Sequence, residues 1–534
     1  MNKRQAYELT RSSSFLWKSS ALLLILIIGL GFAAWKLKPQ DHRSPSPSER
    51  FIFLGSDTAP IAVNTAQYEE AVRAELWGDT PLPQKLYALQ YLLSLPSSAL
   101  HSTLPPRAQL ARLSDGEYAL LAAFAEAARE GSAEKRPPSG PSLRELCERE
   151  PPPPYANFAL SLFYTLYPKN GSAIQAARSE AKAHPSDAAH QRLVALYDRH
   201  NLLSELRPLL DDPNYAPFID SLLRRDIALE TMDWPVLLKT LFPVAYQDLP
   251  PSILLLALVA GGVWVSLILR FGGELSWKST AVKGALPALL LGALSAHLTI
   301  LAIYFQEDQL GLSRGDDLLS QAIYCVAGIG LREEFLKLLC FAPLIPFLAK
   351  QKDELATLIL ASLVGLGFAI EENISYFEQS QGLAAFGRFV TANFFHLALT
   401  GVCGLTLAQA YRYRGAYINT AVSTFGLAVL AHGAYDAFII VPELRDYNLV
   451  SSVVFILASY QYFIWLRHLR PNWNDTISLS AHFTWGLVLV FGASYLLLAW
   501  DRGPMESATL LIEETLSLGI LLVMFYREIP EDIY

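Results

Sequence analysis

Glu333 and Glu334 stand side by side in the stretch Leu331-Arg332-Glu333-Glu334-Phe335-Leu336-Lys337, with apolar sequence on both sides, from Ala322 to Gly330 and from Leu338 to Ala349. Ionisable side chains inside a membrane segment are costly, so they are rare there and usually functional. Later apolar segments carry polar groups of the same kind: Glu371-Glu372-Asn373, His396, and His432 with Asp436. A carboxylate pair with separated histidines in dry surroundings suits metal-assisted hydrolysis. The alternatives are a proton or ion path, or buried polar contacts between helices.

Spacing narrows the chemistry. Glu333 and Lys337 are four apart and can pair on a helix. Glu334 is turned by about 100° from Glu333. One carboxylate can therefore be held by the lysine while the other faces a metal or water; spacing does not say which. His432 and Asp436 are also four apart, so the aspartate can orient the imidazole or share an ion with it. A lone histidine on an apolar helix is usually a satisfied core residue. Two on neighbouring helices, with acidic groups on two more, reverse that balance. Two histidines and a carboxylate can supply the ligands of a water-activating site, with a second carboxylate as base. Three other groups serve as controls. His297 stands alone and reads as structural. His482 reads as interfacial. Glu513-Glu514 is a second carboxylate pair, with no lysine four residues on and no assignable role.

These groups need helices in a membrane to hold them. The chain has 534 residues and a mean hydropathy of +0.27, which point to a polytopic membrane protein joined to a soluble part. The formal charge of −8 gives no reason to expect nucleic acid. Of the four cysteines only Cys147 lies in the soluble part, and the rest read as small packing residues. Lys3, Arg4, Arg11 and Lys18 precede an apolar run from Ala21 to Ala34. Gly31-Phe32-Ala33 is a weak signal-peptide cleavage site, but Trp17 and Trp35 bracket the run as interfacial anchors, so an uncleaved anchor is expected. Residues 1–38 thus form a cytoplasmic N-terminus and anchor, and the Pro39–Arg50 stretch is a polar linker.

Residues 39–250 read as a helical extracytoplasmic domain, with helices over Thr65–Trp77, Pro83–Leu95, Asp115–Arg129, Asn157–Leu166, Ala173–Ala183, Ala188–Asp198 and Leu202–Leu210. Arg136–Pro154 divides it into two lobes, the second somewhat like stacked tetratricopeptide hairpins. Residues 251–534 carry nine expected spans, at 252–270, 281–304, 320–349, 355–377, 388–411, 416–440, 447–466, 479–499 and 507–526. With the anchor that makes ten crossings. The third is too long for one crossing and is expected to turn near Arg332. Lysines and arginines crowd alternate loops, which places both termini in the cytoplasm and residues 39–250 outside. On that topology Glu372 lies roughly 8 Å beyond its helix midpoint, His396 about 5 Å before its own and His432 about 6 Å past its own, all in the outer half of the bilayer.

At these residues the chain resembles the PrsW family of intramembrane metalloproteases. Glu333-Glu334-Phe335-Leu336-Lys337 matches that family's EExxK motif. Phe368-Ala369-Ile370-Glu371-Glu372-Asn373 matches its FAxxEN motif, with Glu372 the motif glutamate and Glu371 an extra one. His432-Gly433-Ala434-Tyr435-Asp436 matches its HxxxD motif, and His396 falls where an intervening histidine is expected. The likeness covers about 318–440, the expected protease core. It implies hydrolysis of membrane-anchored proteins, typically single-span regulators such as anti-sigma factors.

The resulting expectation is an all-α polytopic helical membrane protein with an all-α extracytoplasmic domain. Glu333 and Glu334 supply the base and hold the water. His396, His432 and Glu372 bind a divalent metal, zinc by default. Lys337, Glu371, Asn373 and Asp436 support them. The expected partners are a membrane-anchored protein substrate in the cell (inner) membrane and a peptide or protein bound by the extracytoplasmic domain. The rival readings are a prenyl-protein endopeptidase of the related CAAX group, a transporter and a non-enzymatic scaffold.

Overall fold

Backbone amides in lipid have no water to bond, so apolar segments satisfy them internally by forming helices. The computed structural model describes residues 3–37, 72, 76–94, 107–110, 112–138, 140–167, 169–246, 249–273, 275–470 and 476–529, and every regular element among them is helical. The chain divides into two compact units, residues 1–39 with 248–534, and residues 40–247. The Pro39–Arg50 linker and most of the Thr65–Trp77 helix lie outside the described residues.

Among the described residues of the first unit, eight helices are long and apolar enough to cross a membrane. They are α1 (Ser13–Leu37), α2 (Pro251–Phe271), α3 (Thr280–Tyr304, with a π-helical turn to Gln309), then α5 (Glu354–Gln379), α6 with α7 (Ala385–Val390 and Ala392–Arg412), α8 (Ile418–Ile440), α9 (Leu449–Leu469) and α10 (Leu479–Arg502). The chain is a multi-pass membrane protein. A ninth span forms if α11 (Pro504–Ser517) and α12 (Gly519–Glu528), bent by 58°, count as one. The stretch expected as the span 320–349 is not one straight helix. It runs from a short helix, Leu318–Ile323, through a π-helical turn, Tyr324–Gly330, into α4 (Leu331–Phe341), then a 3₁₀ turn, Ala342–Leu344, and a helix, Ile345–Gln351. Pro343 and Pro346 lack the amide a continuous helix would need, which accounts for the second break.

Two close approaches set the geometry of the core. A Cβ on Gly330 would lie 2.7 Å from the Val429 carbonyl, and one on Gly433 would lie 2.5 Å from the Val326 Cα. The π-helical turn before α4 and the middle of α8 therefore touch backbone to backbone. A Cβ on Gly365 would likewise come within 2.4 Å of the His396 carbonyl, so α5 and α7 pack as tightly. Small residues at such crossings let membrane helices associate where lipid offers no hydrophobic drive.

The second unit is a set of short helices with ordinary caps. Asp115–Glu130 begins at a reciprocal Ser114–Glu117 capping box and ends at Gly131 with φ 68°. Two apolar cores form. The first joins Leu86, Phe124, Leu143, Leu146 and Phe158, and the second joins Ala177, Leu193, Leu206 and Ile227. Leu143 and Leu146 lie inside the stretch expected to separate the lobes, yet they belong to the first core. Ala156–Leu166 belongs to the first core, and Asn170–Ala183 gives Ala176 to the first and Ala173, Ala177 and Ala181 to the second, so the two cores meet at that helix.

Glu180 bridges these two helices. Its carboxylate accepts from the Tyr155, Asn157 and Phe158 amides at 2.6, 3.0 and 3.2 Å, orphan donors at a helix start. Burial pushes its pKa up, and the three amides pull it back only in part. A folded pKa raised above the unfolded value means stability from this group is full at low pH and is lost as pH rises through the folded pKa. Glu180→Ala is expected to cost this unit about 1–3 kcal/mol and to flatten that pH dependence, read by thermal unfolding at several pH values. An unchanged melting profile would remove the bridge from the account.

Candidate active site

The two glutamates of α4 face different partners. Glu334 is completely buried, and its Oε1 accepts from Lys337 Nζ at 2.7 Å and from His432 Nδ1 at 2.7 Å. Glu333 is a turn from the same lysine, with Oε2 at 3.7 Å from Nζ and 3.5 Å from His432 Nε2. Glu334 is thus the carboxylate that the lysine holds, and Glu333 is the one turned toward the imidazoles. Lys337 is fully buried as well. Its Nζ also donates to His396 Nδ1 at 2.8 Å and lies 4.3 Å from the centre of the Phe368 ring.

The histidines come from facing helices, His396 in the first turns of α7 and His432 near the far end of α8, with ring centres 5.1 Å apart. Their protonation follows from their neighbours. His432 Nδ1–H donates to the Glu334 carboxylate, so in the neutral ring Nε2 carries the lone pair. Asp436 Oδ2 is 3.4 Å from that Nε2. His396 is the reverse case. Lys337 donates to Nδ1, so a neutral ring carries its proton on Nε2, which faces Glu372 Oε2 at 3.3 Å. Coordination through that nitrogen requires the proton to move to Nδ1, with Lys337 turned away from it, or to leave the ring.

Glu372 is held from the other side by Arg388, which also bonds Asn373 and stacks 3.7 Å from the centre of the Tyr376 ring. Asn373 donates to Asn393, three residues before His396 on α7. Arg388, Asn393 and Phe368 did not emerge as site residues from sequence. Arg388 had a signal: so many carboxylates in apolar helices require cations, and it lies nearby in chain order. His297 does not stand alone. Its Nε2 is 3.2 Å from Glu371 Oε1, so the extra glutamate pairs with the helix α3. His482 contacts Ser266 at 2.8 Å and Arg270 at 3.2 Å, a polar link between α2 and α10 away from these groups.

The cluster has the charge and the donors of a cation site. With neutral histidines, Glu333, Glu334, Glu372 and Asp436 carry four negative charges against two positive ones on Lys337 and Arg388. One divalent cation would balance the remaining two. Glu333, His396 and His432 each offer a ligand atom, all within 4.8 Å of one another. Neighbouring ligands on a tetrahedral zinc are roughly 3.3 Å apart, close to the 3.5 Å between Glu333 Oε2 and His432 Nε2. Glu333 Oε2 and Glu334 Oε2 are buried without a hydrogen-bond partner among the described residues. Buried acceptors without donors are costly, and a cation relieves them. The residues therefore fit a metal. Glu372, expected as a ligand, lies beside His396 and outside this three-residue set.

Residues 281–463 match the family described as PrsW family intramembrane metalloprotease. That region contains every residue of the cluster. No curated protein and no solved structure matches the chain.

Proposed function

We propose, on the premise that residues 281–463 form a PrsW-family intramembrane metalloprotease domain, that this protein cuts membrane-anchored protein substrates near their extracytoplasmic membrane boundary. Single-span regulators such as anti-sigma factors are the substrate class the family resemblance implies. The observation that carries the reading is the buried convergence of Glu333, His396 and His432. Zinc is the metal we assign, because two imidazoles and a carboxylate suit it.

Glu333, His396 and His432 would hold the ion, which supplies Lewis-acid polarisation of the scissile carbonyl and of water. Glu333 would also take the proton from the attacking water and return it to the leaving amine. Glu334 fixes the tautomer of His432 and anchors Lys337. Lys337 in turn holds His396, and Arg388 holds Glu372 beside it. Asp436 flanks His432 from its own helix, one turn on.

The depth of the site supports the orientation. Glu372 is in the last third of α5, His396 at the start of α7 and His432 in the last half of α8. The basic loops, with Lys350, Lys352, Arg412 and Arg414, are at the opposite ends of these helices. By the positive-inside rule the cluster is in the extracytoplasmic half. Cysteines introduced as Ser375→Cys and Ala434→Cys, with the native cysteines replaced, are expected to react with a membrane-impermeant thiol reagent added from outside. Metal analysis of purified protein should give one zinc per chain, lost in the His396→Ala, His432→Ala double variant. Labelling from the cytoplasmic face alone would overturn the orientation, and metal retained by the double variant would overturn the site.

A further inference from the structure

We propose that Glu514, in the broken last span and outside the matched region, is a positioning residue for this site, acting through α6 and Arg388. The inference rests on the metalloprotease reading above. Its starting point is the second carboxylate pair, Glu513-Glu514, for which spacing offers no role.

Glu514 Oε1 accepts the Gly387 amide at 3.0 Å. Gly387 lies in the first turn of α6, where amides have no helical partner. The next residue is Arg388, whose guanidinium bonds Glu372 and Asn373. Glu372 in turn meets His396 Nε2. Polar contacts joined by the Gly387–Arg388 peptide thus run from α11 through α6 to a candidate metal ligand. The fit is close: a Cβ on Gly387 would lie 2.5 Å from Glu514 Oε1, so a larger residue there would push the carboxylate aside. The second oxygen, Oε2, is buried without a hydrogen-bond partner among the described residues. Such a group in an apolar span is retained at a cost, and the cost is intelligible if the carboxylate anchors the short helix that carries Arg388. The bend between α11 and α12 follows four residues later, at Leu518.

The test uses full-length protein in detergent, with cobalt(II) as the metal probe. Two quantities are read: cobalt affinity by titration, and amide hydrogen exchange across 385–390. Glu514→Ala should speed exchange at Gly387 and weaken cobalt binding about tenfold, the usual scale for residues that orient metal ligands. Glu514→Gln should stay within about twofold of wild type, because its amide oxygen can accept the same hydrogen bond. Gly387→Ala should resemble Glu514→Ala by displacing the carboxylate. Adding Glu514→Ala to Arg388→Ala should cost nothing further, since both act on one chain of contacts. Unchanged exchange and affinity in Glu514→Ala would overturn the proposal. So would a full, additive loss in the Arg388→Ala background, or a lowered melting temperature with cobalt affinity intact. If His432→Ala binds cobalt as tightly as wild type, the metal reading is what fails, and exchange at Gly387 still decides whether Glu514 holds α6.

Discussion

Glu333→Gln is expected to lower turnover of a membrane-anchored substrate by about 10²–10⁴-fold, the range for loss of a general base, with the protein still folded and inserted. Glu333 faces the imidazoles with an oxygen that lacks a hydrogen-bond partner among the described residues, so an amide of the same shape removes a proton acceptor and leaves the packing alone. Its neighbour should behave differently. Glu334→Gln keeps an acceptor for one donor but loses the charge that binds both Lys337 Nζ and His432 Nδ1. Its expected defect is a metal affinity weakened by about 10–100-fold, with turnover recovering in part at high metal concentration. Glu333→Gln also loses a candidate metal ligand, but with the site saturated its kcat should stay low, whereas that of Glu334→Gln should recover; kcat across a metal titration separates the two. Recovery of Glu333→Gln by added metal, with none for Glu334→Gln, would exchange their roles. Normal turnover in both would remove the glutamate pair from the mechanism.

Lys337→Met is expected to destabilise the membrane unit by about 3–5 kcal/mol, the usual cost of removing one partner from a buried ion pair. The lysine is fully buried, and its ammonium bonds Glu334 and His396 and lies near Glu333. Without it Glu334 keeps a buried charge with His432 as its remaining donor. The companion variant makes the argument specific. Lys337→Met combined with Glu334→Leu removes both charges, so most of the lost stability should return. Turnover should not return, because His432 then lacks the acceptor that sets its tautomer. Thermal unfolding in detergent, followed with an activity assay on the same samples, reads both. A single variant as stable as wild type would show that the ammonium is not what compensates Glu334. A double variant with full activity would show that His432 needs no orienting carboxylate.

Much of this was legible before any fold was known. Intramembrane ionisable groups are conspicuous because apolar sequence surrounds them, and helical period fixed which of them share a face, as for His432 with Asp436. Multi-pass helical architecture followed from the long apolar runs. The family likeness followed from three motifs in order, and the match over 281–463 supports it. The position of each group along its helix also followed, because rise per residue is constant. Less legible were departures from regular helix. The 320–349 stretch held enough apolar residues for a span, and composition does not reveal where a π-helical turn or a proline pair interrupts it.

Sequence by itself determined most of the polar groups and the helices that carry them. Tertiary structure decided the partners. Whether Lys337 holds Glu333 or Glu334 is a matter of rotamer and of what else stands nearby, and His432 and His396 arrive from other helices to settle it. Arg388 stood at the edge of the expected span 388–411 until α6 turned it onto Glu372, and His297 looked solitary until α5 brought Glu371 beside it. The physical reason is that periodicity within one helix is local, whereas contact between helices depends on how closely their backbones approach. Here Gly330 against Val429, Gly433 against Val326 and Gly365 against His396 permit that approach, and it is made only when all the helices are packed together.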